Sequence, residues 1–272
     1  MHLSFPDFTG PGAPGVDATL AEAAAHGVDG VITISTTVPD ALRALEIARA
    51  HPRVWCSAGV HPLYSDEGPH DWAALAHLAA QDRCVAWGEL GLDKHYAEPA
   101  QAIQLKVLEE QLATIVRARR AGVVKPVILH CREAFADLIP ILRASGLPGD
   151  GFIFHCFTGG PAEMRMVLDL GALVSFTGVL TYKNAGAVRE AAAMCPIDRV
   201  QVETDGPFLP PEPHRSARPC KPWMASLTAR TLAQCLGVDT PTLEARLNET
   251  TERFFGVPAG ALAQTRSKAV RP

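Results

Sequence analysis

The sequence has no long hydrophobic run and no export signal. None of its apolar stretches approaches the ~18 residues that a membrane-spanning helix needs. Its N-terminus also lacks a basic segment followed by an apolar one, which is the pattern of a secretion signal. We therefore expect no membrane association and a cytoplasmic location.

Cysteine is present in an odd number, and its spacing is wrong for a disulfide scaffold. There are seven cysteines in 272 residues, none in a C-x-x-C pair. A chain of this length can form its own hydrophobic core without disulfide staples. We interpret the cysteines as reduced thiols that serve mainly as small apolar residues.

The chain also lacks an excess of positive charge. Its formal net charge is −4 and its isoelectric point is about 6.2. Such a chain has no overall attraction to polyanions, so any nucleic-acid binding must come from local basic clusters. This excludes a protein that coats nucleic acid through bulk charge, but it does not exclude a nuclease.

What the sequence does contain is a regular alternation of apolar, strand-like runs with helical segments. The predicted strands are Gly30–Thr36, Val54–His61, Val85–Glu89, Val127–His130, Phe152–His155, Leu173–Thr177 and Val200–Asp205. The clearest predicted helices between them are Ala18–His26, Asp40–Ala50, Ala102–Ala121 and Met164–Gly171. This alternation predicts a parallel sheet with helical crossovers.

The strand count predicts a single α/β domain of the TIM-type (βα)8 barrel class. Seven strands are visible, and only "HLSF" near the N-terminus could finish an eighth, so strand 1 should be truncated. An open doubly wound sheet is the rival, but its glycine-rich phosphate loops are missing. We expect the domain to span residues 1–257, followed by a disordered tail at 258–272.

Histidines and carboxylates recur where the predicted strands end. They are His61, Glu89, Asp93, His130, His155 and Asp205. Any one histidine would more often be a hydrogen-bonded core or capping residue. Because the carboxyl ends of barrel strands share one rim, where such enzymes carry their active sites, the repetition favours a divalent-metal site.

Two of these histidines precede cysteine, in "ILHCREA" (128–134) and "IFHCFTG" (153–159). Side chains alternate along a strand, so an inward histidine sends the next residue outward. We expect Cys131 and Cys156 to pack under the helices rather than bind metal.

Two further motifs place acids at the same rim. In "VETDGPF" (202–208), Glu203 and Asp205 would repel each other unless a cation or hydrogen bonds offset their charges. Glu203 held by an arginine, with Asp205 only capping the loop, is the alternative. In "GELGLD" (88–93), the glycines allow close backbone approach and Glu89 could lie between two metal ions.

These segments together resemble, in order and spacing, the TatD family of metal-dependent deoxyribonucleases. The resemblance rests on "SAGVHP", "GELGLD", "HCREA", "FHCFTG" and "VETDGPFL", and it extends over nearly the whole chain. It implies a TIM-type barrel, hydrolysis of DNA phosphodiesters, and divalent metal ions, two of them, as Mg²⁺, Mn²⁺ or Zn²⁺.

The resemblance also implies roles for individual residues. Glu89 would be the bridging carboxylate, His130 and His155 ligands of one metal, and Asp205 a ligand of the other that also positions the attacking water. His61 and Arg132 would contact the substrate phosphate, and Arg132 would also count among the catalytic residues. Glu203 and Asp93 would support the metal ligands.

The family opens with an H-x-H pair, of which this chain retains one histidine. His2 matches the second, making it a further metal ligand, and the first would precede Met1. Either the start codon is assigned too late, or a ligand and part of a strand are lost. We expect the former, because an unclosed barrel leaves unpaired strand edges.

The last long loop departs from the family pattern. Where the family commonly has Arg-Asn-Glu-Pro, this chain reads "SARPCKPW" (216–223). Arg218 and Lys221 could bind substrate phosphate in a local basic patch, together with His214 and Arg215. A solvated basic loop is the alternative.

We therefore expect a DNA exonuclease that acts on single-stranded DNA or 3′ ends through metal-activated water, with no obligate protein partner. No G-x-S-x-G elbow supplies a side-chain nucleophile. Two alternatives remain: a barrel hydrolase of another ester or amide, since fold does not fix function, and a non-catalytic binding protein with a degenerate metal site.

Overall fold

The computed structural model describes residues 1–258, which form a curled sheet of seven parallel strands surrounded by helices. The strands follow one another in chain order, so every neighbour in the sheet is the next strand in sequence. They are β1 (Val31–Thr33), β2 (Val54–Ala58), β3 (Cys84–Asp93), β4 (Val127–Arg132), β5 (Phe152–Phe154), β6 (Leu173–Phe176) and β7 (Val200–Val202).

A helix crosses over between each pair of consecutive strands, and two more helices follow β7. The helices are α1 (Pro6–Thr9), α2 (Val16–Ala25), α3 (Val38–Ala50), α4 (Trp72–Ala79), α5 (Gln101–Arg120), α6 (Phe135–Ala144), α7 (Pro161–Leu170), α8 (Gly186–Ala193), α9 (Ala225–Leu236) and α10 (Thr240–Phe255). Local capping sets several helix starts: Thr37 accepts a hydrogen bond from the Asp40 amide, and Asp239 accepts one from the Thr242 amide.

The two faces of the sheet carry different apolar cores. The large core lies between the sheet and the helices, where Trp87 and Phe176 are fully buried. A small cluster fills the inside of the curl and contains Ile34, Ile128 and Ile153. This division follows from the alternation of side chains along each strand, which sends neighbouring residues to opposite faces.

The first three residues lie between the two ends of the curled sheet. The Met1 carbonyl accepts a hydrogen bond from the Ile34 amide at 2.8 Å, just after β1, and the His2 amide donates to the Gly206 carbonyl at 2.7 Å, just after β7. Within residues 1–258 no eighth strand pairs β1 with β7. The expected TIM-type architecture is therefore confirmed, with seven of its strands present in the described residues.

The alternating pattern located all seven strands, although it overran most of their carboxyl ends. Predicted strand Phe152–His155 ends at Phe154, for example, and Val200–Asp205 ends at Val202. Val85–Glu89 is instead longer, because β3 continues to Asp93. No helix of the described residues is both long and apolar enough to cross a membrane. Apart from Pro258, the predicted tail lies outside those residues.

Strand alternation held for one of the two cysteines. Cys131 lies in β4, is buried and packs in the core under the helices, as predicted. Cys156 lies beyond the end of β5 with φ of +46°, and its thiol contacts the Thr177 hydroxyl at 3.4 Å. The predicted packing of Cys156 under the helices was wrong, because the chain leaves β5 before that residue and the alternation of side chains no longer applies.

Candidate metal centre

Glu89 lies at the centre of a cluster of histidines at the carboxyl ends of the strands. Its side chain is 2% exposed. One carboxylate oxygen, Oε1, lies 3.6 Å from His2 Nε2. The other, Oε2, lies 2.5 Å from His155 Nε2 and 3.8 Å from His130 Nδ1. The two oxygens of Glu89 therefore face different imidazoles, His2 on one side and His155 and His130 on the other.

His2 and Asp205 form the group on the Oε1 side. His2 Nδ1 lies 2.9 Å from the Ile34 carbonyl, which can only accept, so this nitrogen carries the proton. The lone pair is then on Nε2, which lies 3.3 Å from Asp205 Oδ1. The hydrogen bonds of Met1 and His2 to the strand ends bring this residue to the rim, where it meets Glu89.

His130 is oriented by a buried carboxylate on the neighbouring strand. Asp93 Oδ2 accepts a hydrogen bond from His130 Nε2 at 2.9 Å. This bond puts the proton of a neutral His130 ring on Nε2 and leaves the Nδ1 lone pair facing Glu89. Asp93 in turn accepts the backbone amides of His95 at 2.9 Å and Tyr96 at 3.2 Å. The carboxylate thus has the place and contacts of a residue that supports a metal ligand.

His155 follows β5 by one residue and is held between two acids. Its Nε2 faces Glu89, and its Nδ1 lies 3.6 Å from Glu203 Oε1. Glu203 Oε1 also accepts hydrogen bonds from the Cys156 amide at 2.8 Å and the Ser175 hydroxyl at 2.5 Å. Glu203 therefore fixes the turn that follows His155. The alternative prediction, in which an arginine holds Glu203, was wrong.

His61 is close to the cluster but presents a proton rather than a lone pair. The Leu63 amide donates to His61 Nδ1 at 3.0 Å, so a neutral His61 carries its proton on Nε2. That nitrogen lies 3.0 Å from His130 Nδ1. His61, Glu89 and His130 are close enough to share an ion. The tautomer nevertheless favours His61 as a hydrogen-bond donor through Nε2, because the lone pair on Nδ1 already accepts the Leu63 amide.

The electrostatics of the cluster stabilise the ionised acids. Burial alone would raise the pKa of Glu89, but the nearby imidazole of His155 outweighs this and brings the pKa well below the usual value. Burial would likewise raise the pKa of Asp205, and His2 lowers it to about 2. Burial and the neighbouring His130 charge lower the pKa of His61 to about 3, which keeps that ring neutral.

The pKa values of the other two imidazoles, those of His155 and His130, are raised. Burial would lower the pKa of His155, but Glu89 and Glu203 outweigh it and raise that pKa well above the usual value. The pKa of His130 is also raised, because its hydrogen bond to Asp93 and the nearby negative charge of Glu89 together outweigh burial. Without a cation, the acids at this site are therefore balanced by protons on imidazole.

The donor set fits a divalent cation. Glu89 Oε2 is buried and accepts no well-aligned hydrogen bond from the residues of 1–258, which is unusual for a buried carboxylate oxygen. Imidazole nitrogen and carboxylate oxygen are the ligands preferred by Zn²⁺ and related ions. His2 Nε2 and Asp205 lie on one side of the Glu89 carboxylate, and His130 Nδ1 lies on the other. The residues present can hold a metal ion.

A cavity of about 310 Å³ opens directly over the cluster. Arg132 lines it, and its guanidinium lies 5.2 Å from the centre of the Tyr96 ring. Within residues 1–258 no carboxylate lies within ion-pairing distance of this guanidinium. Several apolar and aromatic lining residues were missed by the sequence analysis: Phe5, Leu63, Tyr64, Tyr96, Phe208 and Leu209.

The missed residues have only a positional signal in the sequence. Tyr64, Tyr96 and Phe208 each follow a rim residue by three positions, in "HPLY", "DKHY" and "DGPF". A loop that turns back over the rim after three residues would place them there. Nothing in the composition of these motifs separates them from ordinary loop residues.

The basic residues of the loop after β7 have other partners. Lys221 Nζ contacts Glu22 at 2.9 and 2.7 Å, and Arg218 Nη1 donates to the Pro207 carbonyl at 3.2 Å. Arg215 lies over the Tyr182 ring at 4.0 Å. Neither Arg218 nor Lys221 lines the cavity. Their contacts anchor the loop to the barrel, and substrate binding by them stays a prediction.

Comparison with known proteins agrees with this geometry. The family described as TatD related DNase matches residues 1–256. The chain belongs to the TatD family. A relative called "Uncharacterized metal-dependent hydrolase YcfH" from Escherichia coli K12 is 37% identical over 251 residues, 92% of each chain. A relative called "3'-5' ssDNA/RNA exonuclease TatD" from Klebsiella pneumoniae is 32% identical over 248 residues, 89% of this chain and 92% of that one.

Solved structures also place this chain among TatD proteins. The crystal structure of YjjV, a TatD homolog from E. coli K12, superposes with a TM-score of 0.84 at 27% identity and covers 94% of this chain and 96% of that one. A TatD family hydrolase from Entamoeba histolytica superposes with a TM-score of 0.82 at 19% identity, covering 93% and 95%, which shows the shared fold. This TatD family member is a metal-dependent hydrolase, and the expected family and enzyme class are confirmed.

Proposed function

We propose that this TatD family member hydrolyses phosphodiester bonds of nucleic acid, removing nucleotides from unpaired ends of DNA. The observation that carries the proposal is Arg132, whose guanidinium lines the cavity over Glu89 without a carboxylate partner in residues 1–258. A guanidinium left unpaired beside a site of this kind suits an anionic substrate group, and phosphate accepts paired hydrogen bonds from it. The relative from Klebsiella named as an ssDNA/RNA exonuclease supports the same substrate class.

Each residue of the cluster has a part in the proposed reaction. A bound divalent ion would supply positive charge beside the phosphate and make water acidic enough to attack near neutral pH. Asp205, whose lowered pKa keeps it ionised, would accept a proton from the attacking water. Glu89, whose two oxygens face different imidazoles, would help to hold the metal ions, in the bridging position that the family resemblance implies.

Two donors would then hold the phosphate. Arg132 would bind its non-bridging oxygens, and His61 would donate from Nε2, the nitrogen that carries the proton. Both donors act on charge that grows as the water attacks, so they would stabilise the transition state more than the bound substrate.

The test measures metal-dependent cleavage directly. Chelator-treated protein is reloaded with Mg²⁺, Mn²⁺ or Zn²⁺ and given a single-stranded oligonucleotide, its duplex, and a strand with a phosphorothioate 3′ end. We expect stepwise shortening of the unprotected single strand and little shortening of the other two. Metal-dependent turnover of lactones or cyclic amides with no release of nucleotides would contradict the proposal.

A substitution of Arg132 tests whether this residue contacts the substrate phosphate. Arg132→Met should lower kcat/KM on the single strand by about 10- to 150-fold, which corresponds to a charge-assisted hydrogen bond of about 1.5–3 kcal/mol. The matched control is Arg143→Met, since Arg143 is an exposed arginine at the end of α6. Equal activity in the two variants would remove Arg132 from the proposed site.

A further inference from the structure

Two large, exposed aromatic side chains stand at the mouth of the cavity. Phe208 is 44% exposed and Tyr96 is 49% exposed, and both line the cavity over Glu89. They differ in what covers them: the Arg132 guanidinium lies over the ring of Tyr96. No cation of residues 1–258 lies over the ring of Phe208, which presents apolar surface to the cavity.

The ring of Phe208 packs against the rings of Phe5 and His2. Phe5 contacts it edge to face, with ring centres 6.2 Å apart at 81°. Phe5 is itself stacked on His2, with ring centres 4.6 Å apart at 21°. The orientation of Phe208 is thus linked by ring contacts to a residue of the proposed metal centre.

The backbone around Phe208 is also anchored. Its own amide donates to the Asp205 carbonyl at 2.7 Å. On either side, Arg218 donates to the Pro207 carbonyl at 3.2 Å and the Tyr182 hydroxyl donates to the Pro210 carbonyl at 3.1 Å. Pro207 and Pro210 are buried while Phe208 is exposed between them. The loop therefore presents this ring rigidly, which lowers the entropy cost of binding against it.

We propose that Phe208 is the surface on which an unpaired nucleobase stacks while its phosphate lies over Glu89. This inference rests on the proposed function and adds to it the part of the substrate that is recognised besides phosphate. A substrate that suits both features must combine an anionic group with a flat apolar face. Nucleotides do so, and base stacking on aromatic residues is largely independent of base identity.

The proposal predicts a preference for single strands. Inside a duplex each base is stacked on its neighbours and paired, so its faces are not available to Phe208 without the cost of unstacking. An unpaired terminal nucleotide can expose its base to Phe208 without this loss of stacking and pairing. Stacking of this kind is present before the reaction as well as during it, so it should affect KM more than kcat.

The experiment compares substrates with and without the base. Metal-loaded protein is given a short oligonucleotide ending in thymidine and the same oligonucleotide ending in an abasic tetrahydrofuran unit. Stacking of one base is expected to raise kcat/KM for the thymidine substrate by about 5- to 150-fold, mainly through KM. Phe208→Ala should collapse this ratio towards one.

Further variants separate stacking from packing. Phe208→Tyr should retain the ratio, because it keeps the aromatic face, whereas Phe208→Leu should lose most of it although it remains apolar. Val124→Ala is the matched control, since Val124 is 61% exposed and lies next to Lys125 and Pro126, where β4 begins, away from the cavity. It should leave the ratio as in the wild type.

A binding measurement keeps this inference testable apart from the proposed hydrolysis. Calorimetry compares thymidine 5′-monophosphate with deoxyribose 5-phosphate on the metal-loaded protein, and we expect tighter binding of the nucleotide, by at least about fivefold, that Phe208→Ala abolishes. Absence of any nucleic-acid cleavage would overturn the proposed function alone. Equal binding of the two ligands, or a preference that survives Phe208→Ala, would overturn the role of Phe208.

Discussion

Replacing Asp93 with asparagine should weaken metal binding without unfolding the protein. The two oxygens of Asp93 have different partners: one accepts the amides of His95 and Tyr96 at 2.9 and 3.2 Å, and the other accepts from His130 Nε2 at 2.9 Å. The amide oxygen of asparagine can keep both backbone bonds. The NH₂ group then faces His130 Nε2, which has to become an acceptor.

That exchange moves the proton of the His130 ring. A neutral imidazole that accepts at Nε2 carries its proton on Nδ1, the nitrogen 3.8 Å from Glu89 Oε2. The lone pair proposed to bind metal is then lost. Turning the amide over would restore it but would oppose two backbone N–H donors, so the flipped state is disfavoured. Loss of such a supporting contact typically costs 10- to 100-fold in metal affinity, about 1.4–2.7 kcal/mol.

The assay is calorimetric titration of chelator-stripped protein with Zn²⁺ or Mn²⁺, with thermal melting beside it. Asp93→Asn should bind metal about 10- to 100-fold more weakly and melt close to the wild type when both are metal-free. Asp93→Ala should in addition lose about 1–3 kcal/mol of stability, because buried amide donors lose their acceptor. Asp169→Asn, on the exposed side of α7, is the control. Wild-type metal affinity in Asp93→Asn would refute this reasoning.

Three further predictions concern the backbone, the protons and the thiols. Gly91→Ala should lose more than about 4 kcal/mol of unfolding free energy in urea, because a Cβ there would lie 1.8 Å from a backbone carbonyl oxygen at φ of +152°. Gly122→Ala, with φ of +95° and open space, should lose only about 1–2 kcal/mol, so equal losses would contradict the steric argument. Because the pKa of His155 is raised well above 6.5, this ring is protonated at pH 7 and should release a proton when metal binds. The measured enthalpy of metal binding should then depend on the ionisation enthalpy of the buffer. An enthalpy that is the same in all buffers would contradict proton release. Cys131→Ser should lower the free energy of unfolding by about 1–3 kcal/mol, because it buries a hydroxyl, and should leave kcat unchanged. Cys156→Ser should lower the free energy of unfolding by less, because that thiol is only half-buried.

Residues at or near the carboxyl ends of the strands were predictable, because period-two alternation acts over short stretches of chain and the strands of a parallel barrel share one rim. Glu89, His130 and His155 illustrate this: each was located by an apolar run that ends at or near it, and all three meet within the cluster. The same reasoning failed at Cys156, one residue further on. Local periodicity carries no information once the chain turns out of the sheet.

Contacts between distant segments could not be predicted in this way. Lys221 pairs with Glu22, 199 residues away, and no local pattern links the two. The support of His155 by Glu203 and of His2 by the Ile34 carbonyl has the same character. Each depends on which loops come to lie side by side after the helices have packed.

The sequence by itself determined the parallel barrel, its seven strands and the residues delivered to the rim, since these follow from apolar spacing along single strands. Only the tertiary structure decided which imidazole nitrogen faces Glu89 and which cationic side chain stays unpaired in the cavity. Those outcomes depend on hydrogen bonds a few ångströms long between groups far apart in the chain. Burial makes such bonds decisive, because a polar group removed from water must take the partner that packing places beside it.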